Sequence, residues 1–321
     1  MNKAKLLSPI RQLLLSFPQG LTRLPYDWCY QSLKKQLEKN YPALWARNSF
    51  QSQQLVFLLS DLDLTLITHQ PLNQVQQKKL RTLLKRTKRK FPLLGELNIY
   101  DQKYFPRMLA FANPIELKRD PELIQFFHLE PKNVSSLQAS AFLSQMFLFD
   151  RHQLRIEPNI RLKKWKHHFN LVGKPLNLDD LNHSTFLNHF ISCFETRYFD
   201  PKKTLAFFES LLNEDLENLD SRELLLFYPQ WWVSLNITDN DVMEDLESFV
   251  LTNEELEIIA EHLNWEIWGL YSQLSLEENT SDYLLHLAKL LTLCSVLKLT
   301  DQEAGLLTIQ TILLELEESK S

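Results

Sequence analysis

Two aspartates interrupt an apolar run in the stretch "LVFLLSDLDLTLI", where a single leucine separates Asp61 from Asp63. Alternate residues of a β-strand share a face, so we expect both carboxylates on one side and Leu62 and Leu64 on the other. Carboxylates without partners are costly in a buried strand. Their oxygens suit Mg²⁺, which completes its shell with water and phosphate oxygens. The pair therefore predicts a site for a divalent metal and a phosphate-bearing ligand.

The segments around the aspartates predict a small mixed sheet with flanking helices. In chain order we expect helices over 1–40, a strand in "ALWAR", a polar turn in "NSFQSQQ", a long strand over 55–67, a helix from about Pro71 to Lys90, and a strand in "FPLLGELNIYD". After residue 118 the pattern is helical, with no strand series. The predicted fold class is α+β, with one domain over 1–117 and an α-helical domain over 118–321.

Composition and charge exclude some classes of protein. The chain has 321 residues, a net charge of −5, 44% hydrophobic residues and only 5 glycines. It lacks both the Gly-rich dinucleotide motif and the P-loop motif. Three scattered cysteines and no long apolar segment predict a cytoplasmic protein without a disulfide framework or a membrane span.

Two basic segments stand out from an otherwise mixed charge pattern. "KKLRTLLKRTKRK", which runs from Lys78 to Lys90, contains no acid and predicts a positive surface near the aspartates that could attract a nucleotide or nucleic acid. "RLKKWKHHF", residues 161–169, could stack on nucleic acid. We interpret it instead as a surface helix with Trp165 in the core.

The segment "RNSFQSQQLVFLLSDLDLTLI" resembles the signature of the nucleotidyltransferase superfamily, which includes DNA polymerase beta and kanamycin nucleotidyltransferase. That signature is a strand, Gly-Ser, roughly ten residues, and Asp-x-Asp on the next strand. Asn48 and Ser49 stand where Gly-Ser is expected, and Asp61 and Asp63 lie at the matching distance. The resemblance covers residues 25–110. Asn replaces a glycine here, and Asn tolerates positive φ better than most residues.

The resemblance implies a role for each residue that matches the motif. Asp61 and Asp63 would hold the metal, and Glu96 on the following strand would supply the third carboxylate, with Asp101 as second choice. Four residues are assigned to the nucleotide: Arg47, Asn48, Ser49 and Ser60. The implied activity is Mg²⁺- or Mn²⁺-dependent transfer of a nucleoside monophosphate from an NTP to an acceptor hydroxyl, with release of pyrophosphate. The acceptor can be a small molecule, a protein or an RNA.

Two alternatives remain open. "FLLSDLDLTLI" is also similar to the first motif of haloacid dehalogenase-type phosphatases, in which Asp61 would be the nucleophile and Asp63 the acid/base, with Thr65 beside them. That motif follows an apolar strand. A non-catalytic binding protein built on the nucleotidyltransferase core is the other alternative, and Asn48 in place of glycine favours it.

Overall fold

A computed structural model describes most of the chain. The described residues are 18–52, 55, 60–109, 114–130, 132–176, 182–236, 246, 248–274 and 280–299, with single positions at 307, 310, 311 and 314. The protein is α+β and mostly helical, with one small mixed sheet. The amphipathic helix expected within residues 1–17 lies outside the described residues, as do residues 56–59 of the expected long strand.

The sheet has three strands in the order β1-β2-β3, namely β1 (Ala43–Ala46), β2 (Leu62–Thr68) and β3 (Leu94–Asp101). β1 pairs with β2 in antiparallel orientation, and β2 pairs with β3 in parallel orientation. Parallel neighbours need a crossover connection, which is here a helix between β2 and β3. The order of strands and helices in this region agrees with the sequence prediction, but the strand predicted over 55–67 begins at Leu62, and Ser60 and Asp61 lie outside it.

Three helices of the first part of the chain accompany the sheet: α1 (Gln19–Leu37), the short α2 (Asn48–Gln51) and the crossover helix α3 (Gln74–Lys90). The segment predicted as a polar turn therefore contains one helical turn. α3 begins later than the predicted start at Pro71. The side chain of Asn73 accepts a hydrogen bond from the backbone N–H of Gln76, and the Gln76 side chain accepts one from the backbone N–H of Asn73, so this capping box fixes the start.

The remaining helices follow the sheet. They are α4 (Phe105–Met108), α5 (Pro114–Arg119), α6 (Pro121–Phe126), α7 (Ser136–Ile156), α8 (Pro158–Leu171), α9 (His183–Ser192), α10 (Pro201–Asn213), α11 (Ser221–Phe227), α12 (Pro229–Asn236), α13 (Asn253–Leu274) and α14 (Thr280–Val296), with a short 3₁₀ turn at Leu216–Asn218. Among the described residues after 118 there is no strand, as predicted. None of the described helices is long and apolar enough to cross a membrane.

The two faces of β2 differ in chemistry. Leu62, Leu64 and Leu66 are fully buried and share a hydrophobic cluster with α1 and α3. The alternate residues face the later helices, where Ile67 joins a cluster with residues of α11 to α14. Asp63 and Thr65 occupy the same face nearer the start of the strand. The three leucines therefore fill one face of β2, and the polar residues Asp63 and Thr65 lie on the other face.

The long helices α7 and α8 pack against each other and build the core of the second region. Phe147 of α7 and Trp165 of α8 belong to a cluster of fully buried rings that also includes Phe186 and Phe190 of α9 and Phe208 of α10. α13 packs along α7 and also contacts β3. The helices of the second region therefore cover the polar face of the sheet. The division of the chain at 117/118 into two domains stays a prediction.

Candidate active site

The two aspartates lie at the beginning of β2, against a bulge in β3. Leu62 pairs with Leu94 and Leu64 pairs with Leu97, so both Gly95 and Glu96 lie opposite Asp63. A Cβ atom on Gly95 would lie 2.3 Å from Asp63 Oδ1 and 2.9 Å from the Cβ of Asp61. Only glycine leaves room for both aspartates here, so Gly95 lets the two carboxylates lie side by side at this edge of the sheet.

Asn48 connects Asp63 to the helical region. Its φ is 54°, in the left-handed region that Asn tolerates better than most residues. Its Nδ2 donates to Asp63 Oδ2 over 2.7 Å, and its Oδ1 accepts from Arg119 Nε over 2.8 Å. The substitution that separates this chain from the Gly-Ser pattern therefore keeps the backbone conformation expected of glycine, and it adds a side chain that bonds to Asp63.

Arg47 and Glu96 form an ion pair beside the aspartates. Arg47 is almost fully buried, and its Nη2 lies 3.0 Å from Glu96 Oε1. Its Nε lies 3.9 Å from Asp120 Oδ2, and Asp120 also accepts a hydrogen bond from the Thr65 hydroxyl. Burial alone would lower the pKa of Arg47, but the nearby carboxylates outweigh it and raise that pKa. Burial raises the pKa of Asp120 to about 6.

The other predicted nucleotide residues divide between cleft and core. Ser49, the first residue after Asn48 in α2, lines the same cleft as the aspartates. Ser60 is buried, and its carbonyl oxygen accepts a hydrogen bond from the Tyr26 hydroxyl over 2.7 Å. The cleft thus has one wall made by Asn48, Ser49, Asp61 and Asp63, which we call the sheet wall. Arg47, Ser60 and Glu96 are not among its lining residues.

The opposite wall of the cleft comes from α5, α7 and α8. We call it the helical wall, and its charged residues are Arg119, Asp150, Arg161, Lys163 and Lys164. Arg161 Nη1 lies 3.1 Å from Asp150 Oδ1, and Arg119 Nη1 lies 2.7 Å from Glu116. Four cations against one carboxylate leave this wall positive, so it faces the negative sheet wall.

Helix α8 carries the segment that we interpreted as a surface helix. Trp165 is fully buried, as expected. The basic residues of the same helix do not simply face solvent, because three of them line the cleft together with His167 and His168. This part of the interpretation is corrected: α8 contributes to the candidate site.

The electrostatics of the cleft reflect the proximity of its two walls. Burial, and then the neighbouring Asp63, raises the pKa of Asp61, while Lys164, Lys88 and Arg161 act in the opposite direction. Burial, and then Arg161, lowers the pKa of Lys164, and Asp61 is the first of three carboxylates that oppose this shift. Two carboxylates that repel each other, beside a desolvated lysine, form a site that a bound cation and anion together would stabilise.

The cleft combines charged and apolar lining residues. Its volume is about 200 Å³. Met146 and Phe149 add an apolar patch to the helical wall, and Phe149 is 68% exposed. An exposed aromatic ring beside several cations is a surface on which a nucleobase can stack.

The donor set suits a metal that arrives with its substrate. Within the described residues, no group of three or more His, Cys, Asp or Glu side chains could by itself hold a metal ion. Mg²⁺, however, is commonly held by one or two carboxylates together with substrate phosphates and water. Asp61 and Asp63 supply the two carboxylates. The residues present therefore fit Mg²⁺ bound together with a polyphosphate.

The sequence predicted the residues of the sheet wall, but it assigned no site residue to the helical wall. Asp150, Lys163 and Lys164 come from a region in which no motif was recognised. The only signal for the two lysines was the basic and aromatic composition of residues 161–169.

Comparisons of the chain with protein-family models, with curated proteins and with solved structures find no match. The fold and site define an α+β protein with a cleft between an acidic sheet edge and a basic helical surface. The function must therefore be argued from that cleft.

Proposed function

We propose that the protein is a metal-dependent nucleotidyltransferase that transfers a nucleoside monophosphate from an NTP to an acceptor hydroxyl and releases pyrophosphate. The observation that carries the proposal is the cleft itself. Asp61 and Asp63 lie beside Asn48 and Ser49 on one wall, and the basic residues of α8 lie on the other. This is the charge pattern that a metal-bound triphosphate requires, because the metal needs carboxylates and the remaining phosphate charge needs cations.

The polyphosphate would lie between the two walls. In this proposal the Ser49 hydroxyl donates to a phosphate oxygen near the sheet, while Lys163 and Lys164 neutralise phosphate oxygens from the opposite side. Arg119 holds the carboxamide of Asn48 and thereby fixes the position of Asp63. Phe149 would stack on the base.

The chemical step is a displacement at the α-phosphorus. The acceptor oxygen forms a bond to that phosphorus, the bond to the bridging oxygen breaks, and pyrophosphate leaves with the electron pair. When bound by Asp61 and Asp63, Mg²⁺ would neutralise charge on the phosphate oxygens and lower the pKa of the attacking hydroxyl. The hydroxyl proton passes to a carboxylate of the cleft.

Asp150 is our candidate for the proton acceptor. It is the third carboxylate of the cleft, and its Oδ1 is already oriented by Arg161 at 3.1 Å. Glu96 was predicted for this role from the motif. Its side chain is paired with buried Arg47, so it would have to break that ion pair before taking part. Its role as metal ligand and base stays a prediction, and a direct comparison of the two residues tests it.

Two contacts favour a second candidate, a non-catalytic protein on the same core that binds a polyphosphate. Asn48 donates to one oxygen of Asp63, and Arg47 holds Glu96. Both contacts occupy carboxylates that a metal site would use. The phosphatase alternative has less support, because Asp61 directly precedes β2 and Asp63 is the second residue of that strand, whereas the phosphatase motif places its aspartates after an apolar strand.

A transfer assay separates these functions. The protein is incubated with each of the four NTPs, labelled at either the α or the γ phosphate, with Mg²⁺ or Mn²⁺ and a cell extract. The proposal expects α label on an extract component, release of pyrophosphate, and loss of both in Asp63→Asn. The control Asp27→Asn changes a carboxylate of α1 that pairs with Arg23 outside the cleft, and it should keep the activity.

Each other outcome of the assay contradicts transfer. Release of inorganic phosphate alone would establish a phosphatase. Nucleotide binding that needs no metal, without turnover in any extract, would establish the binding protein.

A further inference from the structure

Helix α3 presents a strongly basic surface to solvent. Seven of its cationic side chains are exposed, and we call this set the basic face: Lys78, Lys79, Lys85, Arg86, Lys88, Arg89 and Lys90. The sequence contains no Asp or Glu between Asp63 and Glu96, so neither α3 nor its connections supply a local counter-charge. A helix of 17 residues extends over about 25 Å. The basic face is therefore longer than a mononucleotide needs.

The apolar residues of α3 are directed inward. Leu80 is buried, and Leu83 and Leu84 pack against the cluster beneath the sheet. Val75 is the one large apolar side chain of α3 that is strongly exposed. A helix that inserts into a lipid surface needs bulky apolar residues on its outer side. The basic face therefore fits a polyanion in water better than a membrane.

The basic face ends at the same edge of the sheet as the candidate site. α3 ends at Lys90, and four residues later Leu94 pairs with Leu62, the residue between the two aspartates. Lys88 is close enough for its charge to act on the Asp61 carboxylate. A chain of phosphates lying on the basic face would consequently lead toward the cleft.

The cleft also restricts the charge of the acceptor. A cationic acceptor would meet Arg119, Lys163 and Lys164 on the helical wall, and these cations would repel it. An acceptor bearing phosphates would find cations both there and along α3. An acceptor hydroxyl at the end of a chain of phosphates matches the positive charge of both the helical wall and the basic face of α3.

We propose that the acceptor is a single-stranded nucleic acid whose phosphates lie along the basic face of α3 and whose terminal 3′-hydroxyl enters the cleft between the two walls. This inference rests on the proposed nucleotidyl transfer. Its chemistry is the same displacement: the 3′-oxygen bonds to the α-phosphorus of the NTP, pyrophosphate leaves, and the hydroxyl proton passes to Asp150. The strand becomes one nucleotide longer.

Binding is measured first, on the Asp63→Asn protein, so that it is independent of turnover. Fluorescence anisotropy follows labelled RNA and DNA oligonucleotides of about 12 nucleotides, over a series of salt concentrations. We expect binding with a log–log salt slope of about −3, which corresponds to about four neutralised phosphates on a single strand. The RNA and DNA arms identify which strand is preferred.

Charge reversal tests where the strand lies. Lys79→Glu with Arg86→Glu on the basic face should weaken binding by about tenfold or more, because two attractive contacts become repulsive. The matched control, Lys202→Glu with Lys203→Glu at the exposed start of α10, should change binding less than about twofold. Equal effects of the two pairs, or no binding of either strand, would overturn the inference. So would binding to anionic lipid vesicles in place of oligonucleotides.

Extension is then measured with the native chain. An oligonucleotide with a free 3′-hydroxyl should gain one labelled nucleotide, and the same strand with a 3′-phosphate should gain none. Asp63-dependent transfer to a protein or small molecule only would overturn this inference and leave the proposed function standing. Strand binding that is lost on reversal of the basic face, without any extension, would contradict the proposed transfer while supporting the binding surface.

Discussion

The two walls of the cleft have opposite charge and different origins. The sheet wall is built from residues close together in sequence, held by the pairing of β2 with its neighbours and by the space above Gly95. The helical wall is built from α5, α7 and α8, whose arrangement depends on a buried aromatic core. A triphosphate with its metal carries both signs of charge, so neither wall is sufficient alone. In the proposed function the sheet would supply the metal ligands and the helices would supply the phosphate ligands.

The two walls are also joined by hydrogen bonds through one side chain, that of Asn48. Asn48 accepts from Arg119 of α5 and donates to Asp63 of β2. A movement of the helical wall would therefore displace Asp63, the carboxylate that we assign to the metal. The following changes are ordered from the largest expected effect to the smallest, and each acts on one wall.

The largest effect is expected at the proton acceptor. Asp150→Asn should lower kcat by about 100-fold, because general bases typically contribute two to four orders of magnitude. Glu96→Gln should lower it less than about fivefold, because that side chain is held by Arg47 outside the cleft lining. Pre-steady-state rates of pyrophosphate release over a pH series provide the measurement. The reverse ranking would return the catalytic role to Glu96 and the sheet.

His167 makes the helical wall sensitive to acid. Burial, followed by the charge of Arg119, lowers the pKa of His167 to about 4. Its neutral form is therefore favoured on folding, and this stability is present above pH 6.5 and is lost as the pH falls toward 4. In His167→Asn the loss of unfolding free energy between pH 7 and pH 4 should shrink by about 3 kcal/mol. Urea denaturation at both pH values measures it, and an unchanged loss would mean that this histidine is protonated without penalty.

The lysines of α8 should act on nucleotide affinity. Lys163→Met or Lys164→Met removes a cation that we assign to the phosphates, so the KM for NTP should rise about tenfold while kcat changes little. Lys202→Met, an exposed lysine of α10, is the matched control. An unaltered KM in both α8 variants would mean that the helical wall does not contact the polyphosphate.

The smallest effect concerns the conformation of Asn48. Asn48→Ala places an alanine at a φ of 54° and should destabilise the protein by about 1 kcal/mol. Asn48→Gly relieves that strain and should be more stable than the alanine variant by about the same amount. Thermal unfolding of the three proteins tests this order. Activity in the glycine variant above the wild-type level would also identify the Asn48 bond to Asp63 as inhibitory.

The fold near the sheet could be predicted because its signals are local. The alternation after Asp61 places Asp63 on one face of β2 and identifies Leu62, Leu64 and Leu66 as its buried face, although Asp61 itself lies just before the strand. The start of α3 was missed because proline alone was used to place it, and the capping box at Asn73 decided it. The left-handed turn at Asn48 was anticipated, since Asn tolerates positive φ better than most residues.

The rest of the site depends on tertiary contacts that no short pattern encodes. Glu96 has the right spacing for a third carboxylate, but buried Arg47 requires a partner and takes it. The sequence of α8 predicts that Trp165 is buried. Which residues lie opposite the lysines of α8 depends on how this helix packs on α7 and α5. Asp150 and Lys164 reach the aspartates only through that packing.

The most direct test of the account is equilibrium binding of metal-bound nucleotide to both walls. Isothermal titration with MgATP, MgGTP, MgCTP and MgUTP in turn would be carried out on the native chain, on Asp63→Asn and on Lys164→Met. We predict that at least one nucleotide binds in the presence of Mg²⁺, that each substitution weakens it about tenfold or more, and that the Asp63→Asn effect disappears when EDTA replaces Mg²⁺. Failure of all four to bind, or an affinity that neither substitution changes, would contradict a nucleotide site between the two walls.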